Sequence, residues 1–292
     1  MMELKEYLTY LKIERNYSDK TISSYKKDID EFLYYLKINH KDLFSIKYSD
    51  INPYLKILDN KKNTNSTISR KISSLRGFYK YLLREKKIDS NPFLLVSLPK
   101  KDKKLPRFFY YNELELLFDV PDLKTPLGQR DRLILEMLYA TGVRVSELVN
   151  IRIDDISKRE IRILGKGNKE RIVRYGSFAE DILDLYLKDG YKKLNINNSL
   201  KLFLNNRGTP LTTRGVKYIL DSIINKTSID KKISPHMLRH TFATHLLNEG
   251  CDIMSVSELL GHANLSATAI YTHVTTDRLK DVYFHSHPRA KK

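Results

Sequence analysis

Pro99-Lys100-Lys101-Asp102-Lys103-Lys104-Leu105-Pro106 divides the 292-residue chain. Proline locks φ and offers no backbone N–H, and lysines clustered this densely resist burial. The stretch therefore reads as an interdomain linker. With Pro92 upstream it is placed over residues 91–106, between a first domain of residues 1–90 and a second of residues 107–292. A chain of this length can bury two modest cores, and 41% apolar residues argue against disorder.

Before the linker, the apolar spacing is helical throughout. Tyr7, Leu8 and Leu11 recur at three and four, as do Ile22, Tyr25, Ile29, Phe32 and Leu33. Ser18 or Asp19 can cap the second helix, and a third is expected to start near Ser49 or Asp50. A fourth, over residues 66–84, puts Ile68, Ile72, Leu75, Phe78, Tyr79 and Leu82 on one face and Arg70, Lys71, Arg76 and Lys80 on the other. That basic face is either an ordinary solvated surface or a contact to a polyanion.

Beyond the linker, Asn112 is expected to cap a helix through Phe118, and a buried helix runs over 130–139 to end at Gly142. Ile161, Ile163, Ile172 and Val173 mark two short strands joined by the glycine-rich turn Leu164-Gly165-Lys166-Gly167-Asn168-Lys169. Further helices are expected over 178–188, 214–226, 235–248, 253–260 and 266–273. The fold class is mainly α with a small β-sheet: an all-helical first domain and an α+β second one.

The formal net charge is +17, with 23 basic against 13 acidic residues through Lys104 and 29 against 22 beyond it. A surplus spread over both halves points to nucleic acid rather than to one basic tail. No apolar run is long enough to span a membrane, and the start lacks an export signal. The single cysteine, Cys251, rules out an internal disulfide and fits a reducing cytoplasm.

The chemistry lies in an ordered set: Arg144 in Thr141-Gly142-Val143-Arg144-Val145-Ser146-Glu147-Leu148; Lys166; His236-Met237-Leu238-Arg239-His240; Leu260-Gly261-His262; and Ala269-Ile270-Tyr271-Thr272-His273. His236 and Arg239 are three apart and share a helix face, with Pro235 suited to its first turn. Arg144 and Arg239 offer two planar forks for phosphate oxygens, the electrostatic stabilisation a pentacoordinate phosphorus needs. His236 and His240 have the spacing of a zinc pair, but the glutamate of a His-Glu-x-x-His site is missing and an arginine stands between them. His240, His245 and His273 can equally be structural. Tyr271 is one of 19 tyrosines, so it is either a core ring or a phenolic nucleophile. As a nucleophile its phosphate ester would retain the bond energy, and strand joining would need no ATP. Gly165-Lys166-Gly167 lacks the spacing of a nucleotide-binding loop; a lysine on a hairpin tip can instead reach a DNA groove and protonate a leaving hydroxyl. Lys169 and Arg171 are either backbone contacts or surface charge, and Arg214, like Arg70, Lys71 and Arg76, is a candidate DNA contact.

In this order Arg144, Lys166, His236-x-x-Arg239, His262 and Tyr271 resemble the signature of the tyrosine recombinase (phage integrase) family. Gly165-Lys166-Gly167-Asn168-Lys169-Glu170-Arg171, Leu259-Leu260-Gly261-His262-Ala263 and the closing His287-Pro288-Arg289-Ala290 are similar to its Xer branch, in XerC-like and XerD-like members alike. The resemblance implies a SAM-like core-binding domain followed by a catalytic domain, closing on double-stranded DNA as a clamp. It makes Tyr271 the nucleophile that forms a 3′-phosphotyrosyl link, with Arg144 and Arg239 on the nonbridging oxygens. Lys166 becomes the general acid, His236 a proton-transfer partner, His262 a phosphate donor and Glu147 a supporting acidic residue. No metal or nucleotide cofactor is implied. The partners implied are a specific recombination site, related protomers in a homo- or hetero-tetramer, and an FtsK-like DNA translocase; the role is resolution of chromosome dimers through a Holliday junction. The apolar tail residues Leu279, Val282, Tyr283 and Phe284 can pack on their own domain or dock into a neighbouring protomer. The alternatives are a phage or mobile-element integrase, a DNA-binding protein without catalysis, and a type IB topoisomerase.

Overall fold

The computed structural model describes residues 1–61, 63–99, 108–165, 170–261 and 282–290. The chain forms two compact units, Met1–Lys104 and Leu105–Lys292.

The first unit is built on four helices, α1 (Met2–Ile13), α2 (Asp19–Ile38), α3 (Tyr48–Asn60) and α4 (Asn65–Arg84). Ser18 caps α2 by accepting from Thr21 N, and Thr64 caps α4 by accepting from Thr67 N. Tyr7, Leu11, Ile29, Phe32, Ile72, Leu75, Phe78 and Leu82 meet in one core. Leu8, Ile22, Tyr25 and Leu33 lie at its margin. The linker start differs from the expectation. Phe93 and Val96, placed in the linker by their neighbouring prolines, are buried in this core, and Asn91 bonds back to the Arg76 carbonyl. The linker therefore begins later than residue 91, because apolar burial outweighs the proline signal. Its lysine cluster lies outside the described residues.

On the basic face of α4 much of the charge is partnered within the unit. Lys71 is buried and paired with Glu31 and, at 3.8 Å, with Asp28. Arg76 donates from Nε to the Phe93 carbonyl (3.1 Å) and from a terminal nitrogen to the Val96 carbonyl (2.6 Å). Arg70 is half-exposed but paired with the buried Asp28. Arg70, Lys71 and Arg76, the candidate DNA contacts on this face, are thus engaged within the unit, Lys71 and Arg76 most completely.

In the second unit, α5 (Tyr111–Asp119) and α6 (Pro126–Thr141) are followed by the one-turn α7 (Val145–Leu148). Asn112 sits inside α5; its entry is capped by the Glu113 carboxylate on Tyr110 N. Strands β1 (Ile156–Ser157), β2 (Glu160–Leu164) and β3 (Glu170–Arg174) form an antiparallel sheet in order β1-β2-β3, with Ile161 opposite Val173 and Leu164 opposite Glu170. The sheet presents Ile161, Ile163 and Val173 to the core. Helix α8 (Ser177–Leu185) runs on through a π-helical turn, Tyr186–Gly190, into α9 (Tyr191–Leu194). Then come α10 (Thr213–Ile224), α11 (Pro235–Asn248) and α12 (Ile253–Leu259). The expected helix over 266–273 lies outside the described residues. No helix among the described residues is long and apolar enough to cross a membrane.

The tail, 282–290, packs on its own unit. Tyr283 is buried, with Val282 and Phe284 against the same core; Leu279 lies outside the described residues. Arg289 donates to the fully buried Glu136 (2.6 and 3.1 Å) and to Glu115 (2.9 Å), with its guanidinium over the rings of Phe118 and Phe178. His287 is buried against Tyr139, Phe242 and Tyr283.

Candidate active site

The site is assembled where α6 ends, α11 begins and α12 stops. Thr125 caps α6 through Gly128 N, Pro126 occupies its first turn, and the helix is buried continuously from Leu133 to Thr141. It ends on Gly142, at φ +59°, where the chain must turn sharply to deliver Arg144. An added Cβ here would stand 2.7 Å from Phe242 Cδ1 and 2.9 Å from Leu260 Cδ2, so both the conformation and the space call for glycine.

Arg144 then starts α7. Its backbone N–H donates to Glu147 Oε2 (2.8 Å) and its guanidinium to Glu147 Oε1 (2.9 Å). Arg171, on β3, closes a two-pronged pair on the same carboxylate, at 3.0 and 2.8 Å. Burial alone would push the Glu147 carboxyl up, but the hydrogen bonds from Arg171 and Arg144 outweigh it and hold it below the usual carboxylate range.

Ser234 caps α11 by accepting from Met237 N, with Pro235 in the first turn. His236 lies exposed on that turn and Arg239 is buried one turn further in. Arg239 donates to the carbonyls of Gly142 (2.5 Å) and Leu260 (2.6 Å), fastening the ends of α6 and α12 to α11. Two of its five N–H groups are thereby used, and the rest can serve a ligand. Burial, reinforced by the nearby charges of Arg144 and Arg171, lowers its pKa to about 10, so it stays protonated at neutral pH. Three guanidinium groups, Arg144, Arg171 and Arg239, thus gather around one carboxylate. Their surplus positive charge is set by these pairings and suits the cluster to an anionic ligand.

The structure brings together Arg144, Glu147, Arg171 and Arg239, with His236 on the same helix as Arg239. Lys166, Lys169, His262 and Tyr271 lie outside the described residues. His240 is half-buried. His245 is buried against the Tyr139 hydroxyl at 2.9 Å, and burial lowers its pKa. Arg171, expected as a backbone contact or surface charge, has its fork committed to Glu147. Arg214 is exposed at the start of α10. Glu147 is marked in the sequence only by the family resemblance, since a capping box carries Ser or Thr, not Arg, at its first position. The Arg171–Glu147 pair carries no local signal, because 24 positions separate its members.

This fold and site define a class. Residues 107–278 match the phage integrase family and residues 4–86 the phage integrase N-terminal SAM-like domain, so the chain belongs to the phage integrase family. Its relatives place it more narrowly, in the Xer branch of the tyrosine recombinases, which are site-specific DNA recombinases. It is 52% identical over 293 residues to the tyrosine recombinase XerC of Anoxybacillus flavithermus, covering 98% of each chain. It is 48% identical to that of Bacillus subtilis, over 99% of this chain and 97% of the relative. Among solved structures it is similar to the XerH recombinase bound to a palindromic difH substrate in a post-cleavage complex. The TM-score there is 0.69 at 25% identity, over 96% of this chain and 84% of that one.

Proposed function

We propose that the protein cuts and rejoins DNA at a specific site through Tyr271, and that its cellular task is the resolution of chromosome dimers in the cytoplasm. The observation that carries the chemistry is the pair of guanidinium groups Arg144 and Arg239, the first held by Glu147 and the second by the Gly142 and Leu260 carbonyls, with N–H groups left to hold a phosphodiester. The Tyr271 hydroxyl attacks phosphorus and loses its proton, with His236 as transfer partner. The P–O5′ bond breaks, and the 5′-oxygen takes a proton from Lys166. A 3′-phosphotyrosyl ester and a free 5′-hydroxyl result, and attack by a 5′-hydroxyl from a partner strand reverses the step. Arg144 and Arg239 hold the nonbridging oxygens and His262 donates a further hydrogen bond. Two rounds of exchange among four protomers, alike or of two related kinds, pass through a Holliday junction. A DNA translocase is the expected activator. The XerC relatives and the DNA-bound XerH structure support this reading over an integrase or a silent DNA-binding protein.

The test is a suicide DNA duplex carrying a candidate chromosomal dimer-resolution site, nicked beside the cleavage position and incubated without metal or ATP. Wild type is expected to form a covalent adduct and Tyr271→Phe none. Tight binding by wild type with no adduct, even with a related partner recombinase present, would overturn the catalytic assignment.

A further inference from the structure

We propose that Arg171 is a positioning residue for this reaction rather than a DNA contact; the inference rests on the function proposed above. Arg171 is the second residue of β3 and lies five positions after Lys166 in the sequence. Its two terminal nitrogens grip both oxygens of Glu147, whose carboxylate is itself bonded to the backbone and guanidinium of Arg144. The side chains of Arg171 and Glu147 are 18% and 5% exposed, so the pair is held inside the protein. The stem of Arg171 also lies tight against Gly261, the residue before His262: a Cβ there would stand 3.0 Å from Arg171 Cδ and Nε and 3.1 Å from Cζ. Arg171 Nε is buried and has no hydrogen-bond partner among the described residues.

These contacts fix what Arg171 can do. With both terminal nitrogens on a carboxylate and Nε turned into the packing beside Gly261, its fork is not free to track a DNA backbone. An unpaired buried N–H is a cost, tolerated here because the fork geometry is set by Glu147. One side chain thereby joins three segments: the strand after Lys166, the turn that presents Arg144, and the end of α12 before His262. Without Arg171, Glu147 would lose its strongest partner, and Arg144 would be held by a carboxylate free to rotate. Lysine cannot replace it, since an ammonium group has no planar fork.

Single-turnover cleavage of the suicide duplex tests this with wild type, Arg171→Gln, Arg171→Lys, Glu147→Gln and the double variant Arg171→Gln/Glu147→Gln. Melting and the salt dependence of DNA binding are measured on each. The expected result is a cleavage rate lowered about 10–100-fold in Arg171→Gln, the range seen when a supporting hydrogen-bond partner is removed. Arg171→Lys is expected to recover little of it. The double variant should be no slower than the slower single, because both act through one contact. Affinity and salt slope should match wild type. The proposal is overturned if Arg171→Gln cleaves at the wild-type rate, if Arg171→Lys restores it, or if the two losses multiply. It is also overturned if the salt slope drops by about 0.9, the signature of one lost phosphate contact. Should Arg171→Gln fail to fold, Arg171→Lys decides alone: a rate like wild type's overturns the proposal. Absence of any wild-type adduct would instead overturn the Tyr271 reading beneath it.

Discussion

Replacing Gly142 with alanine strikes the joint on which the site is built. Two costs add. An L-residue in the left-handed conformation costs about 1–2 kcal/mol. The new methyl would also press on Phe242 and Leu260, at 2.7 and 2.9 Å, an overpacking that costs typically about 1–3 kcal/mol. The sum is about 2–5 kcal/mol. For a unit of this size each kcal/mol moves the melting temperature about 2–4 °C, so a fall of roughly 4–20 °C is expected. Gly250→Ala is the control: its φ is +84°, but nothing lies within 4 Å of the added atom, so only the conformational cost remains. Calorimetry of the two variants separates the terms. A Gly142→Ala protein that melts no lower than Gly250→Ala would refute the packing argument. Cleavage should fall with stability in Gly142→Ala alone, because the Gly142 carbonyl anchors Arg239.

Phe93→Ala should destabilise the first unit by about 3–5 kcal/mol, read by chemical denaturation, because Phe93 is fully buried there; a change within about 0.5 kcal/mol would return it to the linker. Arg239→Lys should lower both the melting temperature and single-turnover cleavage, the latter at least about 100-fold, since a compact ammonium lacks the planar fork that spans the two carbonyls while leaving N–H groups for a phosphate; near-normal cleavage would contradict its role. Burial lowers the His287 pKa to about 3, against 6.5 ordinarily, so the folded protein keeps it neutral while the unfolded chain takes up a proton below pH 6.5. Stability should therefore be lost progressively as pH falls from 6.5 toward 3, and His287→Gln should flatten that part of the profile in urea titrations. An unchanged profile would contradict the burial argument.

Much of this was legible in the sequence where the signal is local. The apolar period of three and four marked α2 and α4, Ser18 and Pro235 marked helix starts, and paired β-branched residues marked β2 and β3. What escaped is nonlocal. Phe93 and Val96 sit among prolines and read as linker, yet a core formed by α2 and α4 claims them. Lys71 looks like a surface cation until Asp28 and Glu31, some forty positions away, are seen to enclose it. The site divides in the same way. Its residue types and order were plain, and the family resemblance alone pointed to Glu147. That Arg239 ties two backbone ends together, and that Arg171 completes the Glu147 cluster, depends on contacts no periodicity encodes. The sequence left the tail two choices; the buried Arg289–Glu136 pair and His287 stack secure 282–290 to its own unit.

The most direct test of the central claim is to map the covalent linkage itself. The adduct from the suicide duplex is digested with protease and nuclease, and the nucleotide-bearing peptide is sequenced by mass spectrometry. The account predicts one modified residue, Tyr271, carrying a 3′-linked nucleotide, with the opposing DNA end a free 5′-hydroxyl. A linkage on any of the other tyrosines, on a serine, or through a 5′-phosphate would contradict it.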